Sequence, residues 1–66
     1  MKRSSLLAHL RHHGCILKRE GTRHALWTDL GTGATEAVPR HTEIANVLAK
    51  KICKFLSVPD PKRAVR

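Results

Sequence analysis

Acidic residues are scarce in this sequence. The 66 residues contain 5 Asp and Glu against 13 Lys and Arg, which leaves a formal net charge of +8. No pair of carboxylates suited to acid–base catalysis can be assembled, and the excess of cations points to a polyanionic partner: RNA, DNA, an anionic membrane surface or an acidic protein. Because the basic residues are spread along the chain, a disordered basic tail does not account for the charge.

Cysteine and long apolar runs are also lacking. Cys15 and Cys53 form no CxxC pair, which excludes a disulfide framework and predicts two small buried hydrophobic residues in a reducing compartment. No run of about 18 apolar residues is present, and the N-terminus has no signal-peptide core. We therefore expect a cytoplasmic protein without a membrane segment.

Several catalytic arrangements are missing as well. The sequence has no glycine-rich phosphate loop, no Ser-His-Asp constellation and no internal repeat. A chain of 66 residues forms one small domain, near the lower size at which a single apolar core holds a chain folded. Without room for a separate catalytic domain, any site is expected on the surface or in a shallow groove.

The first predicted element is a helix of roughly ten residues. Ser4 or Ser5 can cap it, and Gly14 follows its basic last turn. Its apolar stripe consists of Leu6, Leu7 and Leu10. A helix this short is unstable alone in water, so it must pack on other elements.

Three short strands are predicted next, with turn residues between them. The predicted strands are 15–19, 23–28 and 35–38. The third ends at Pro39, which cannot donate a hydrogen bond to a sheet. Because the connections are tight, we expect an antiparallel meander.

The second predicted helix has the strongest pattern. Thr42 is its expected N-cap, and 57–59 ends it. One continuous apolar face is predicted from Ile44, Val47, Leu48, Ile52, Phe55 and Leu56. The sequence thus predicts an α+β domain over 1–59, ordered α-β-β-β-α, with two helices on one face of a three-stranded antiparallel sheet. Residues 60–66 are expected to form a flexible basic tail.

His24, in the segment REGTRHALWTD at 19–29, is the main candidate for chemistry. The sheet is expected to gather basic residues around it: Lys18, Arg19, Arg23, Arg40 and His41. There an imidazole can move a proton to or from a phosphodiester, while arginines hold the phosphate. Gly21 would let the backbone approach closely. By composition alone, an ordinary strand histidine is the alternative.

Other residues have competing interpretations. Arg40 and His41 precede the second helix, whose N-terminal amides attract phosphate; a plain loop contact is the alternative. The histidines of the first helix, His9, His12 and His13, have metal-ligand spacing. They lack further ligands, so a solvated, weakly basic face is preferred and no metal is expected. Trp27 can stack on a base, but a core position is preferred because it alternates with His24.

Three motifs resemble the HicA toxins of bacterial type II toxin–antitoxin modules. These motifs are the LxxHLRHHGCxLxREG opening, the G-T-R-H turn at 21–24 and VPRHxEI at 38–44. The resemblance extends from about residue 3 to residue 59. It implies a fold like the double-stranded-RNA-binding domain, ribosome-independent cleavage of mRNA, growth arrest and neutralisation by a HicB-type antitoxin.

The resemblance also assigns roles to residues. The family's catalytic histidine falls on His24, with Gly21 and Thr22 in the glycine and small-hydroxyl positions. Arg23 departs from the family pattern, and its expected role is RNA binding or contact with the antitoxin. We therefore predict a slow endoribonuclease that needs no cofactor, with phosphate-binding residues Lys18, Arg19, Gly21, Thr22, Arg23, Arg40 and His41. The alternatives are a non-catalytic RNA-binding module and, less favoured for want of a helix-turn-helix pair, a DNA-binding helix module.

Overall fold

The computed structural model describes residues 1–61. Its elements are α1 (Arg3–His12), β1 (Cys15–Glu20), β2 (His24–Asp29), β3 (Thr35–Pro39) and α2 (Asn46–Phe55). The sheet is antiparallel with the order β1-β2-β3, which confirms the predicted α-β-β-β-α arrangement. Residues 62–66, most of the predicted basic tail, lie outside the described part of the chain. Within the described part, Asp60 lies 3.8 Å from the Nζ of Lys50.

Alternation along β2 separates a core face from a solvent face of the sheet. Ala25, Trp27 and Asp29 are buried, whereas His24 is exposed on the opposite face. Trp27 is only 1% exposed, so the prediction that it belongs to the core is confirmed. Both helices contribute leucine and isoleucine side chains to the same core, and both cysteines are buried and free, as predicted.

The predicted N-caps of both helices are wrong. α1 is preceded by Lys2 and α2 by Ala45, and neither residue makes a side-chain capping hydrogen bond. The stretch around Thr42 is not helical, because its backbone bonds to the start of the chain. Arg3 N donates to Thr42 O, Ile44 N donates to Met1 O, and Lys2 forms an isolated bridge with Glu43. Because of this pairing, α2 begins at Asn46 and not directly after Thr42.

The apolar face predicted for α2 is also wrong in part. Ile44, Ile52 and Leu56 are buried, but Val47 is 79% and Phe55 51% exposed. The core stripe of the helix consists of Ala49, Ile52, Cys53 and Leu56, at helical spacing. Small residues at 49 and 53 let the helix pack closely, which turns Val47 and Phe55 towards solvent.

β1 is an irregular edge strand. Its pairing with β2 shifts between Leu17 and Arg19, so Lys18 is an extra residue that forms a bulge. Ile16 and Leu17 are about half exposed, so this strand contributes little beyond Cys15 to the core. In residues 1–61, neither helix is long and apolar enough to cross a membrane. The sheet also separates the helices along the chain, so the described part has no helix-turn-helix pair.

Candidate nucleic-acid interface

An open groove lies at the end of the sheet where the β1–β2 turn meets the exit of β3. Its volume is about 390 Å³, and it is lined by Thr22, Arg23, His24, Arg40 and His41. The five lining residues are all among those predicted from the sequence. Two imidazoles and two guanidiniums on one concave surface form a setting suited to a phosphodiester.

Strand pairing brings these residues together. His24 is the first residue of β2 and pairs with Pro39, the last residue of β3. The ladder extends one step further, since Arg40 N donates to Arg23 O over 3.2 Å. The residues after β3 therefore run beside the β1–β2 turn, which places His41 in the same groove as His24.

The turn itself depends on Gly21. Its N–H donates to the carbonyl oxygen of His24 over 2.9 Å. A Cβ added at Gly21 would lie 2.5 Å from that same oxygen, closer than real side chains approach. The close approach that the structure shows at Gly21 is thus to the backbone of His24. Gly21 sets the position from which the His24 side chain leaves β2.

Arg40 is committed to the turn. Its Nη1 donates to Gly21 O over 2.9 Å and lies 3.1 Å from Oε2 of Glu20. The charge of Arg40 is therefore partly balanced. Arg23 is exposed and, within residues 1–61, forms no ion pair. Sequence reasoning missed this role of Glu20, which was predicted only as part of the turn, whereas the structure places it at the end of β1.

The chain that carries His41 is fixed from the other side by α1. The Nε of Arg3 donates to Pro39 O over 2.8 Å, and the backbone N–H of Arg3 donates to Thr42 O over 2.8 Å. The amine of Met1 lies 2.7 Å from the carboxylate of Glu43. His41 thus projects from a backbone held at both ends. Arg3 had no signal in the sequence, because it lies 36 residues from its partner.

Three predicted phosphate-binding residues do not line the groove: Gly21, in the turn beside it, and Lys18 and Arg19, which are exposed on β1. Arg19 pairs with Leu26, which alternates onto the same sheet face as His24. Arg19 is therefore placed to contact a nucleic-acid strand that extends from the groove along this face of the sheet.

The imidazole of His24 is exposed and uncommitted. No residue of 1–61 makes a hydrogen bond to its ring. Its ring is thus open to a ligand, but the described residues do not orient it.

The histidines of α1 form a separate cluster. His9 is buried, and its Nε2–H donates to Pro59 O over 2.8 Å, so the prediction of a fully solvated histidine face is wrong for this residue. The His9 and His12 rings lie 4.7 Å and 5.1 Å from the ring of His13. Partial desolvation, and then the neighbouring His9 and His12, lower the pKa of His13. In the described part of the chain, no three His, Cys, Asp or Glu residues are grouped to hold a metal ion.

In comparisons with known proteins, no family model, no curated protein and no solved structure matches this chain. The resemblance to HicA toxins and to the double-stranded-RNA-binding domain stays a prediction from the sequence motifs.

Proposed function

We propose that this protein is an endoribonuclease that cleaves mRNA in the groove around His24 and acts as the toxin of a type II toxin–antitoxin system. The observation that carries the proposal is the position of His24: exposed, in a groove of about 390 Å³, and flanked by Arg23 and Arg40. A histidine in a cationic groove has both the chemistry and the access that phosphodiester cleavage requires.

The groove residues divide the work of such a reaction. The imidazole of His24 exchanges a proton with the 2′-hydroxyl or with the leaving oxygen. Arg23 binds a phosphate oxygen and stabilises the charge that develops on it. Arg40 adds a weaker pull, because Glu20 balances part of its charge. Proton transfer by imidazole does not itself require a metal ion, so cleavage is expected to continue in EDTA.

The proposal includes a partner and a compartment. A HicB-type antitoxin, implied by the sequence resemblance, would inhibit the enzyme by covering the groove. The cytoplasm is the proposed location, because mRNA is found there and both cysteines are free thiols.

The test is the substitution His24→Ala, with His12→Ala as the matched control. Both histidines are exposed, but His12 lies on α1 and does not line the groove. Each variant is purified identically, checked by circular dichroism, and assayed for RNA cleavage in EDTA and for growth arrest on induction. His24→Ala is expected to lose both activities and His12→Ala to keep them. A folded His24→Ala protein that cuts RNA like the wild type would refute the proposal.

A non-catalytic RNA-binding module is the second candidate. It is favoured by the lack of any residue among 1–61 that hydrogen-bonds the His24 ring, since catalytic imidazoles are usually oriented by a partner. Such a module would retard RNA in a gel without shortening it, and its host would tolerate expression. Full-length RNA recovered from the shifted band after prolonged incubation would select this candidate.

A further inference from the structure

Two histidines line the same groove, one at the start of a strand and the other in the segment after the next strand. His24 begins β2, and His41 follows the end of β3 by two residues. Register pairs His24 with Pro39, so the antiparallel ladder brings the backbone segments that carry both histidines to the same end of the sheet. Both side chains are exposed, and both line the groove together with Arg23 and Arg40.

The backbone at His41 is held more firmly than its exposure suggests. Before it, Arg40 bonds through its backbone to Arg23 and through its side chain to Gly21. After it, Thr42 accepts a hydrogen bond from the backbone of Arg3. Neither set of bonds uses the imidazole of His41, and no residue of 1–61 hydrogen-bonds that ring. The backbone that carries His41 is therefore fixed, and its imidazole is free to contact a ligand in the groove.

We propose that His41 is a second catalytic residue, which forms an acid–base pair with His24 in the cleavage of RNA. This inference rests on the ribonuclease function proposed above and deepens it. It assigns the substrate class as RNA with a free 2′-hydroxyl next to the scissile phosphate. DNA is then bound without being cut.

The reaction is a transesterification in which every proton is accounted for. One imidazole, neutral, removes the proton from the 2′-hydroxyl while the O2′–P bond forms. The other, protonated, donates its proton to O5′ as the P–O5′ bond breaks. The products are a 2′,3′-cyclic phosphate and a 5′-hydroxyl, with no oxidation or reduction. The two imidazoles end with exchanged protonation states, which solvent restores before the next turnover.

Several charged side chains lie near the groove, on β1, on the β1–β2 turn, on the segment after β3 and at the start of the chain: Lys2, Arg3, Lys18, Arg19, Glu20, Arg23, Arg40 and Glu43. An acid–base pair of histidines is expected to give a rate with a bell-shaped dependence on pH, with one limb for the base and one for the acid. Each limb is assigned by substituting one histidine at a time.

The test compares two substrates on three proteins. One substrate is a short RNA with an ordinary 5′-oxygen leaving group; the other has a bridging 5′-sulfur, which leaves as a thiolate without needing a proton. Wild type, His24→Ala and His41→Ala are assayed on both in EDTA. We expect each variant to lose about 10²- to 10⁴-fold on the ordinary RNA, the usual contribution of one general acid or base. On the sulfur substrate, the variant that lacks the acid should recover most of that loss, while the variant that lacks the base should not.

The outcomes separate the two proposals. If His24→Ala cleaves like wild type, the ribonuclease function at this groove is refuted. If His24→Ala is inactive but His41→Ala cleaves both substrates like wild type, only the acid–base pair is refuted. Equal loss by both variants on both substrates, with an unchanged pH profile in residual activity, would show that His41 only binds RNA. Thr42→Ala is the matched control for local disturbance, since Thr42 is exposed beside His41 and does not line the groove.

Discussion

The Nη1 of Arg40 donates a hydrogen bond of 2.9 Å to the carbonyl oxygen of Gly21. This bond joins the exit of β3 to the β1–β2 turn, and Glu20 reinforces it from 3.1 Å. An arginine that a sequence pattern marks as a phosphate ligand is therefore also a structural tie. Arg40 is tied into the fold in this way and Arg23 is not, so substitutions of the two arginines are expected to have different effects.

Arg40→Gln is expected to destabilise the fold, and Arg23→Gln is expected to weaken RNA binding instead. Arg40→Gln removes a charged hydrogen bond and a half-exposed ion pair, which together contribute about 1 kcal/mol. Arg23→Gln removes a charge that no acid of residues 1–61 balances, so the slope of log binding constant against log salt should fall by about 1. Urea unfolding and salt-dependent RNA binding measure the two effects.

Lys51→Gln provides the control for net charge. It removes one positive charge from an exposed position of α2 that does not line the groove. Its effect on the salt slope should be smaller than that of Arg23→Gln. Equal slopes for both variants would mean that RNA responds to total charge and does not occupy the groove.

Gly21→Ala is expected to destabilise the protein by about 1–3 kcal/mol, the range for local backbone strain. A methyl group there would lie 2.5 Å from the His24 carbonyl oxygen, so the turn must open and move His24. Gly31→Ala is the matched control, because its methyl group would meet only a side-chain oxygen of Asp29 at 3.3 Å. Gly31→Ala should cost less than Gly21→Ala in urea unfolding and leave cleavage intact. Comparable losses of stability would contradict this account of the turn.

Trp27→Phe should be tolerated far better than Trp27→Ala. The indole is buried, yet its Nε1–H has no hydrogen-bond partner among residues 1–61. Phenylalanine loses packing but also removes the unpaired donor, whose burial costs about 1–3 kcal/mol, so the two changes largely offset each other. Alanine leaves a large cavity and costs about 3–5 kcal/mol, comparable with the whole stability of a small domain. Thermal unfolding of Trp27→Phe and Trp27→Ala, followed by circular dichroism, measures the difference. Equal melting temperatures for the two variants would contradict this prediction.

Alkaline pH is expected to lower the free energy of unfolding, in part because of the Cys53 thiol. Burial, and then the nearby Asp60 and Cys15, raise the pKa of this thiol from 9.0 to about 11. The unfolded chain therefore loses the proton first, and stability contributed by the thiol is present below pH 9 and lost as pH rises towards 11. The slope is at most about 1.4 kcal/mol per pH unit for one proton.

Cys53→Ala should remove this part of the pH dependence, as measured by urea unfolding at several values between pH 8 and 11. Cys15→Ala should remove a smaller part of it, because burial and then Asp29 raise the pKa of the Cys15 thiol as well, and Cys15 contributes to the raised pKa of Cys53. Identical slopes for wild type and Cys53→Ala would show that the thiol has no linkage to folding.

The element order was predictable because local patterns carried it. Period-two alternation around Trp27 indicated a strand with one buried face, and helical spacing indicated both helices. The start of α2 was not predictable. Thr42 is a good capping residue, but its carbonyl accepts from the backbone of Arg3, and such long-range pairing leaves no local trace. The buried face of α2 was predicted only in part. Ile52 and Cys53 were expected to be buried, but apolar patterns favour the larger Val47 and Phe55 over the small Ala49.

The residues that line the groove were predictable from the sequence, but the residues that hold them in place were not. A meander of three strands necessarily brings His24 close to Arg40 and His41, so strand order alone was sufficient. Glu20 and Arg3 hold those residues in place through contacts across 20 and 36 positions of the chain respectively. Contacts of that kind depend on register and side-chain direction, which the sequence by itself does not specify.

The extra residue at Lys18 affects how separate molecules meet. An edge strand with a straight ladder offers its free amide and carbonyl groups to any other strand, and stacks of copies can grow from it. Here the irregularity between Leu17 and Arg19 interrupts the ladder of β1, at a place where two adjacent side chains carry positive charge. We therefore expect little fibre formation at high concentration, even though β1 exposes Ile16 and Leu17.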